Sequence, residues 1–443
     1  MSVLLGLKLM WSAASALLTF LSRALPARDR APLTRVPQAR RPVMQSSAGE
    51  GRVLFSLAVA LPMLVFIFVA IFYNQAAAKP RVSDKADYSG LTAADLLAKA
   101  NTVYQGALNL PADQKRAELL KASQMLDEAL NLAPQDAAAK DLQAKVQSEL
   151  DKLANVTKFF FYPVLYDFGK DAGSRPGTVI ARANEVYVLD GALNRLYKFL
   201  MNDARDGIQP NASPVVMRQG DERGNIVIGR LADIAWSTAG NGRSGASVLT
   251  LTASRQVIDY SPAKGISVPK LADAPGWQEA TLTESFNGNL YVLDAKANRI
   301  MKFTPNGEDF KNAPTDYVAP GETVDFAGAT DMAIDGFVYV LLVDGTLMKF
   351  DSGHLIPFDK KGLESPLKKP VAMVAAANSQ SIWVADAGNK RIVQFSKNGD
   401  YVKQLKADDP SVMNDLRGLA VDEANRRFYF VNGSKLYMGT LQN

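Results

Sequence analysis

One strand pattern recurs six times in the last two thirds of the chain, and it restricts the possible folds more than any other feature. Each copy has two short strands joined by a turn, and the copies cover residues 184–199, 247–260, 288–303, 337–350, 380–395 and 426–439. The second strand ends in a large apolar residue, and these residues are Phe199, Tyr260, Phe303, Phe350, Phe395 and Met438. They lie 43 to 61 residues apart. A repeat of this length is typical of a β-propeller, in which each copy forms one four-stranded blade. We therefore predict a mainly β fold, a six-bladed β-propeller over residues 156–443.

The two ends of this repeat region complement each other. The last copy supplies three strands, over residues 416–422, 427–431 and 435–441, and so lacks the fourth strand of a blade. An aromatic-rich extended run, residues 157–169, precedes the first copy. Because an unpaired sheet edge is avoided in native proteins, we expect this run to supply the missing outer strand and to close the ring.

The three clearest copies share an Asp at the end of the first strand and an Arg at the start of the second. These pairs are Asp190/Arg195, Asp294/Arg299 and Asp386/Arg391. An Asp in this position accepts hydrogen bonds from backbone N–H groups of the turn, and it can pair with the Arg on the next strand. A catalytic site needs only one copy, so the recurrence indicates a structural role.

An uncharged apolar segment, Val53–Tyr73, predicts a transmembrane helix. Its 21 residues would span roughly 31 Å as a helix, about the thickness of the hydrocarbon core of a bilayer. The tail before it, residues 1–52, holds eight Lys and Arg residues against two acidic ones, a net charge of +6. Basic segments stay in the cytoplasm, so we expect residues after the span to be extracytoplasmic and the protein to lie in the cell membrane.

A second apolar stretch, Val3–Leu21, is interrupted by Lys8. It fits an amphipathic helix at the membrane surface, a second span or the core of a signal peptide. The first two leave the Arg-rich segment in the cytoplasm, whereas a cleaved signal peptide would invert the topology. The whole chain carries +5, so the part after residue 52 carries −1, and we expect no nucleic-acid partner.

A helical period follows a polar linker over residues 74–90. Thr92 is a plausible N-cap for a helix from Ala93 to Leu108, and two further helices are indicated from about Pro111 to Leu132 and from about Asp136 to Leu153. The segment 129–150 resembles the junction of a tetratricopeptide (TPR) repeat. Fewer than two such repeats are present, so we interpret residues 91–155 as a short TPR-like spacer, with a peptide-binding groove as the alternative.

Composition removes several kinds of active site. The chain has no Cys and a single His, His354. This excludes disulfides, thiolate metal sites and zinc sites with several histidines, and it makes a His-based catalytic triad unexpected. Neither a P-loop nor a dinucleotide-binding fingerprint nor a G-x-S-x-G motif occurs in the sequence.

Functional sites of propellers usually lie at the mouth of the central channel, on loops that lead into the innermost strands. We align these strands as residues 178–181, 232–235, 280–283, 330–333, 371–374 and 417–420. The candidate ligand-binding residues near that rim are Arg230, Asp233, Glu279, Asp331, Lys369 and Arg417. Their mixed charges suit a small polar ligand, a peptide or a cation, and equally suit a solvated rim. Trp236, Trp277 and Trp383 could line a contact surface, although buried Trp is the more common case.

The copy at residues 380–395 and the segment after it, IWVADAGNKRIVQFSKNGDYVKQL, resemble an NHL repeat. The set as a whole resembles an NHL- or YWTD-type six-bladed propeller. The arrangement of anchor, spacer and propeller is also similar to the outer portions of bacterial membrane proteins with a PP2C-type phosphatase in the cytoplasm. That enzyme would have to precede residue 1, so this resemblance implies a sensor or scaffold module without phosphatase activity.

Together these features favour a membrane-anchored propeller that binds a protein partner without catalysis. The alternative is a calcium-dependent hydrolase or lyase at the channel mouth. Lactonase-like propellers hold a central calcium ion with acidic residues, and Asp233, Glu279 and Asp331 would be the oxygen donors here. Otherwise we expect no cofactor and no catalytic residue.

Overall fold

The computed structural model describes Tyr88, residues 90–279 and residues 281–441. The predicted span Val53–Tyr73 and the basic tail 1–52 lie outside these residues, and within them no helix is both long and apolar enough to cross a bilayer. The described part begins with three helices and continues as a ring of β-sheets.

Three consecutive helices, α1 (Ala93–Ala107), α2 (Ala112–Leu132) and α3 (Ala137–Leu153), pack on one another. Thr92 begins α1 with a capping box, because its hydroxyl accepts the Asp95 N–H and the Asp95 carboxylate accepts the Thr92 N–H. Asp136 is the N-cap of α3, and its side chain accepts the N–H groups of two residues in the first turn. The apolar residues that the helices bury include Leu96, Ala100, Leu119, Leu126, Leu142 and Val146.

The remaining chain forms six sheets arranged as the blades of a propeller, which confirms the predicted fold. Two short strands, β1 (Val156–Phe159) and β2 (Val164–Asp167), precede the first blade. Blade 1 contains β3 (Pro176–Arg182), β4 (Glu185–Asp190), β5 (Arg195–Leu200) and β6 (Val215–Arg218). A hairpin, β7 (Glu222–Arg223) and β8 (Ile226–Val227), follows. The segment 202–230 therefore contains the outer strand of blade 1 and this hairpin.

The next four blades each have their strands in chain order. Blade 2 contains β9 (Leu231–Ser237), β10 (Ser247–Thr252), β11 (Val257–Ser261) and β12 (Gly265–Ser267). Blade 3 contains β13 (Leu282–Phe286), β14 (Asn289–Asp294), β15 (Arg299–Phe303) and β16 (Thr315–Asp316). Blade 4 contains β17 (Ala329–Ile334), β18 (Val338–Leu342), β19 (Leu347–Asp351) and β20 (His354–Ile356). Blade 5 contains β21 (Pro370–Ala375), β22 (Ser381–Asp386), β23 (Arg391–Ser396) and β24 (Tyr401–Ala407).

Blade 6 closes the ring with strands from both ends of the propeller. It contains β25 (Leu416–Asp422), β26 (Arg427–Asn432) and β27 (Lys435–Thr440), and β2 pairs with β27 as its outer strand. The predicted closure is confirmed. Residues 157–169 do more than the prediction assigned to them, however, because β1 pairs in parallel with β24 and adds a fifth strand to blade 5. The run thus connects the outer edges of two neighbouring blades.

Each of the six interfaces between neighbouring blades has its own apolar cluster. The large residues that end the repeat copies belong to these clusters, and Phe199, Phe303, Phe350, Phe395 and Met438 are at most 2% exposed. Full burial of such a side chain stabilises the fold by about 1.5–3 kcal/mol. Trp277 and Trp383 are buried as well, at 4% and 3% exposure, whereas Trp236 is half-buried.

The repeated Asp residues bind the backbone, but the expected Asp–Arg pair forms in only one of the three clear copies. Arg391 donates from Nε to the Asp386 carboxylate at 2.7 Å. Arg195 and Arg299 turn away from Asp190 and Asp294 and form ion pairs elsewhere, with Asp171 at 2.6 Å and with Asp316 at 2.7 Å. Both oxygens of Asp294 accept backbone N–H groups, and those of Asp190 accept backbone N–H groups and the Ser174 hydroxyl.

The helices contact blade 5 directly through hydrogen bonds and an ion pair. The carbonyl oxygen of Ala154, just after α3, accepts hydrogen bonds from the Tyr401 hydroxyl and the Gln404 amide. Arg116 of α2 forms an ion pair with Glu364. The short β1 strand continues directly from this junction into the sheet of blade 5, so the helices and the propeller are connected there.

Candidate functional site

The six inner strands surround the axis in the order β3, β9, β13, β17, β21 and β25, and β25 returns to β3. All six strands begin at one end of the ring and end at the other. A cavity of about 930 Å³, the cationic basin, lies where they begin and is lined by Arg175, Lys369 and Arg417 among others. A second cavity of about 980 Å³, the aromatic basin, lies where they end and is lined by Trp236, Phe286 and Trp383 among others. A space of about 100 Å³ lies between the inner strands themselves.

Asp233 of blade 2 lies in this channel and holds three blades together. Its carboxylate accepts the hydroxyl of Thr178 in blade 1 at 3.1 Å and the N–H of Thr283 in blade 3 at 2.8 Å. The residue is 6% exposed, and its burial raises the pKa of Asp233 to about 6 in spite of these donors. The Asp233 side chain therefore supplies a hydrogen-bond acceptor to the Thr283 N–H, at the inner edge of the next sheet.

Asp331 of blade 4 has the same role two blades further around the ring. Its carboxylate accepts the N–H of Met373 in blade 5 at 2.6 Å and the N–H of Met332 at 2.8 Å. The strand registers place Asp233 and Asp331 at equivalent positions, since they lie opposite Leu251 and Leu341 just after a bulge. Burial, together with the charge of Asp233, raises the pKa of Asp331 to about 8.

Glu284 is the third channel carboxyl group. It lies on β13 and accepts the N–H of Ser285 at 2.9 Å. Burial raises the pKa of Glu284 to about 8, and the charge of Arg182 on blade 1 opposes this rise. Both Glu284 and Arg182 also line the aromatic basin, whose Trp383 donates from Nε1 to Glu423 at 2.6 Å.

The structure separates the six residues predicted for the rim into three groups. Asp233 and Asp331 lie in the channel, and Lys369 and Arg417 line the cationic basin. Arg230 is exposed just before β9, where its carbonyl oxygen accepts the Ala253 N–H. Glu279 is exposed and pairs with Lys296 at 3.0 Å. Neither of these two lines the channel or a basin.

The acidic residues suggested for calcium do not form a site of the required kind. A calcium ion takes six to eight oxygen ligands from converging groups. Glu279 is apart from the channel, and the oxygens of Asp233 and Asp331 face backbone N–H groups. In the part of the chain that the structure describes, no three His, Cys, Asp or Glu side chains are arranged to hold a metal ion.

Sequence reasoning missed Glu284 and Arg175. The alignment of the inner strands placed blade 3 at residues 280–283, whereas the ladder pairs Leu282 with Leu293 and Phe286 with Asn289. Counting back from Leu293, the counterpart of Leu251 and Leu341, would have moved the strand by one residue and brought Glu284 into it. Arg175 was missed because it precedes Pro176, where the pattern of alternating residues has not yet begun.

No protein-family model matches the sequence, and no curated protein matches it. Among solved structures, a gluconolactonase from Xanthomonas campestris is similar at 11% identity and a TM-score of 0.44, over 63% of this chain and 89% of that one. The calcium-binding protein regucalcin from Agrobacterium tumefaciens is similar at 12% and 0.42, over 65% and 97%. The WD40 propeller domain of Doa1 is similar at 10% and 0.39, over 64% and 99%. At these identities the similarity concerns the propeller fold alone and does not distinguish an enzyme from a binding protein.

Proposed function

We propose that the chain is a non-catalytic binding module whose propeller holds a protein partner at the cationic basin. The polar groups of the channel and of the basin differ in whether they already have partners. The carboxyl groups of Asp233 and Asp331 accept N–H groups of neighbouring blades and so join the sheets. Arg175 and Lys369 are exposed and form no ion pair with the described residues, so their charges are available to a partner.

We propose further that Val53–Tyr73 anchors the chain in the cell membrane with the propeller outside the cytoplasm. The absence of charge over 21 residues and the basic flank before them support this. Protease added to intact cells or spheroplasts is expected to digest or release the C-terminal portion. Complete protection of the propeller would contradict the proposed topology.

The binding function is tested by reversing charge in the basin of the full-length chain. The double variant Arg175→Glu/Lys369→Glu and the control Lys99→Glu, an exposed residue of α1, are expressed in the native membrane and chemically crosslinked. We expect a discrete crosslinked species with the natural chain and with the control, and its loss in the double variant. The same species in all three chains would contradict a partner site at the cationic basin.

The rival interpretation, a calcium-dependent hydrolase or lyase, has its own test. The thermal midpoint of the full-length chain is measured with calcium and with a chelator, and the binding interpretation predicts equal values. A calcium ion that bound only the folded chain would raise the midpoint by mass action. A calcium-dependent rise that Asp331→Asn removes would favour the enzyme.

A further inference from the structure

We propose that the partner segment bound at the cationic basin is acidic, a stretch of polypeptide with several side-chain carboxylates. This inference rests on the proposed binding function and names the chemistry of the partner. The basin is lined by three cationic side chains, Arg175, Lys369 and Arg417, from three adjacent blades, and by one acidic side chain, Asp415. Its formal charge is therefore +2, on a part of the chain that is otherwise nearly neutral.

The one ion pair in the basin already shows the recognition chemistry. Arg417 donates from Nη2 to the Asp415 carboxylate at 2.6 Å. The Nη1 of the same guanidinium has no hydrogen-bond partner among the described residues. A guanidinium offers two parallel donors to a carboxylate, so Arg417 retains capacity for a second acid.

The two unpaired cations stand on loops that the fold holds in place. The backbone N–H of Arg175 donates to Asp190 at 3.1 Å. The N–H of Lys368, beside Lys369, donates to Asp386 at 2.7 Å. Both aspartates are fully buried. The repeated Asp of the blade pattern thus fixes the loops that carry the binding charges, which lowers the entropy lost when a partner binds.

The floor of the basin leaves room for a polypeptide backbone. It is formed in part by Gly177 and Gly191, and an added Cβ at either would meet nothing within 4 Å. A cavity of about 930 Å³ is within the size range of ligand sites. No aromatic side chain lines the basin in the described part of the chain. Single-stranded nucleic acid, which binds through stacked aromatic residues as well as cations, is therefore the poorer match.

Two occupants from the chain itself are disfavoured by charge or geometry. The basic tail, residues 1–52, carries +6 and would be repelled by the basin. The aromatic basin of a second copy carries Asp422 and Glu423 against Arg182 and has the opposite sign. However, a contact between the cationic basin of one copy and the aromatic basin of the next is head-to-tail, so it would build filaments rather than a closed oligomer.

Binding of a defined probe tests the proposal. The full-length chain in detergent micelles is titrated with a fluorescent, C-terminally amidated peptide of alternating Glu and Ser, with its Lys–Ser counterpart and with an RNA oligonucleotide. We expect the Glu–Ser peptide to bind with an affinity that falls as salt is added, and the Lys–Ser peptide not to bind. Arg175→Glu and Lys369→Glu should each lower the affinity by about threefold to tenfold, whereas Lys99→Glu should leave it unchanged.

The variant Ala192→Trp places a large side chain at an exposed position of the basin lining without a change of charge, and it should abolish peptide binding.

Equal binding of both peptides, or binding that no basin variant weakens, would overturn the proposal. Tighter binding of RNA with loss in the same variants would assign the basin to nucleic acid and also overturn it. A Glu–Ser peptide with a free C-terminal carboxylate is titrated as well. If it binds and the amidated peptide does not, the site recognises a chain end and the proposal is overturned. A partner crosslinked at the basin without any peptide binding would leave the binding function intact and overturn only the acidic chemistry.

Discussion

Replacing Asp331 by Asn tests the account of the channel, because it removes a carboxyl group that the fold keeps protonated at neutral pH. The pKa of Asp331 is raised to about 8 by burial and by Asp233, whereas an Asp in the unfolded chain has a pKa of about 3.9. Between these values the folded chain holds a proton that the unfolded chain releases. The free energy of unfolding therefore falls as the pH rises through this window and levels off above about pH 8.

The size of the effect follows from the shift. Each pH unit within the window lowers the free energy of unfolding by about 1.4 kcal/mol per proton held. From pH 5 to pH 7, Asp331 alone accounts for a loss of about 3 kcal/mol. An Asn stays neutral at every pH and its oxygen can still accept the Met373 N–H, so Asp331→Asn should reduce this loss by about the same amount.

Urea unfolding of the full-length chain at several pH values, followed by Trp fluorescence, measures the slope. Asp203→Asn, at an exposed position of the loop after β5, is the matched control and should keep the natural slope. An unchanged slope in Asp331→Asn would refute the reasoning, because it would mean that Asp331 is ionised in the folded chain.

Two further predictions each compare a variant with a matched control. Gly418→Ala should destabilise the chain by a few kcal/mol, about the cost of overpacking. A Cβ at this position would overlap the carbonyl oxygen of Gly177 at the contact between blades 6 and 1. Gly177→Ala is the control, because its Cβ would meet open space, and it should be nearly neutral. Arg391→Met leaves the buried Asp386 without its cation and should cost about 3–5 kcal/mol, while Arg299→Met breaks a more exposed pair and should cost no more than about 1 kcal/mol. Both comparisons are read from urea midpoints, and equal effects within either pair would contradict the contacts described.

The blade count and the closure of the ring could be predicted from the sequence because both follow from spacing. The large apolar residues such as Phe303 and Phe395 mark the same place in successive blades, and the missing strand of blade 6 left one partner for residues 157–169. Sequence spacing contains no comparable signal for β1. Its parallel pairing with β24 depends on where α3 ends beside blade 5.

The candidate site was only partly predictable for the same reason. Asp233 and Asp331 were found because they lie inside inner strands with a clear pattern, but their hydrogen bonds run to other blades and have no local signature. Glu284 was missed through an error of one residue in the register of β13. Arg175 lies in a loop whose position is set by a long-range contact with Asp190. Contacts between residues distant in sequence thus decide which charges meet at a basin.

Site-specific photocrosslinking tests most directly whether the propeller is a binding platform that works through its cationic basin. A photoreactive residue is placed at Asn414, which lines the cationic basin, or at Asn378, which lines the aromatic basin at the other end of the axis. After irradiation of cells that carry the full-length chain, we predict a discrete adduct with a protein from position 414 and none from position 378. An adduct from position 378 alone, or from neither position, would contradict the account.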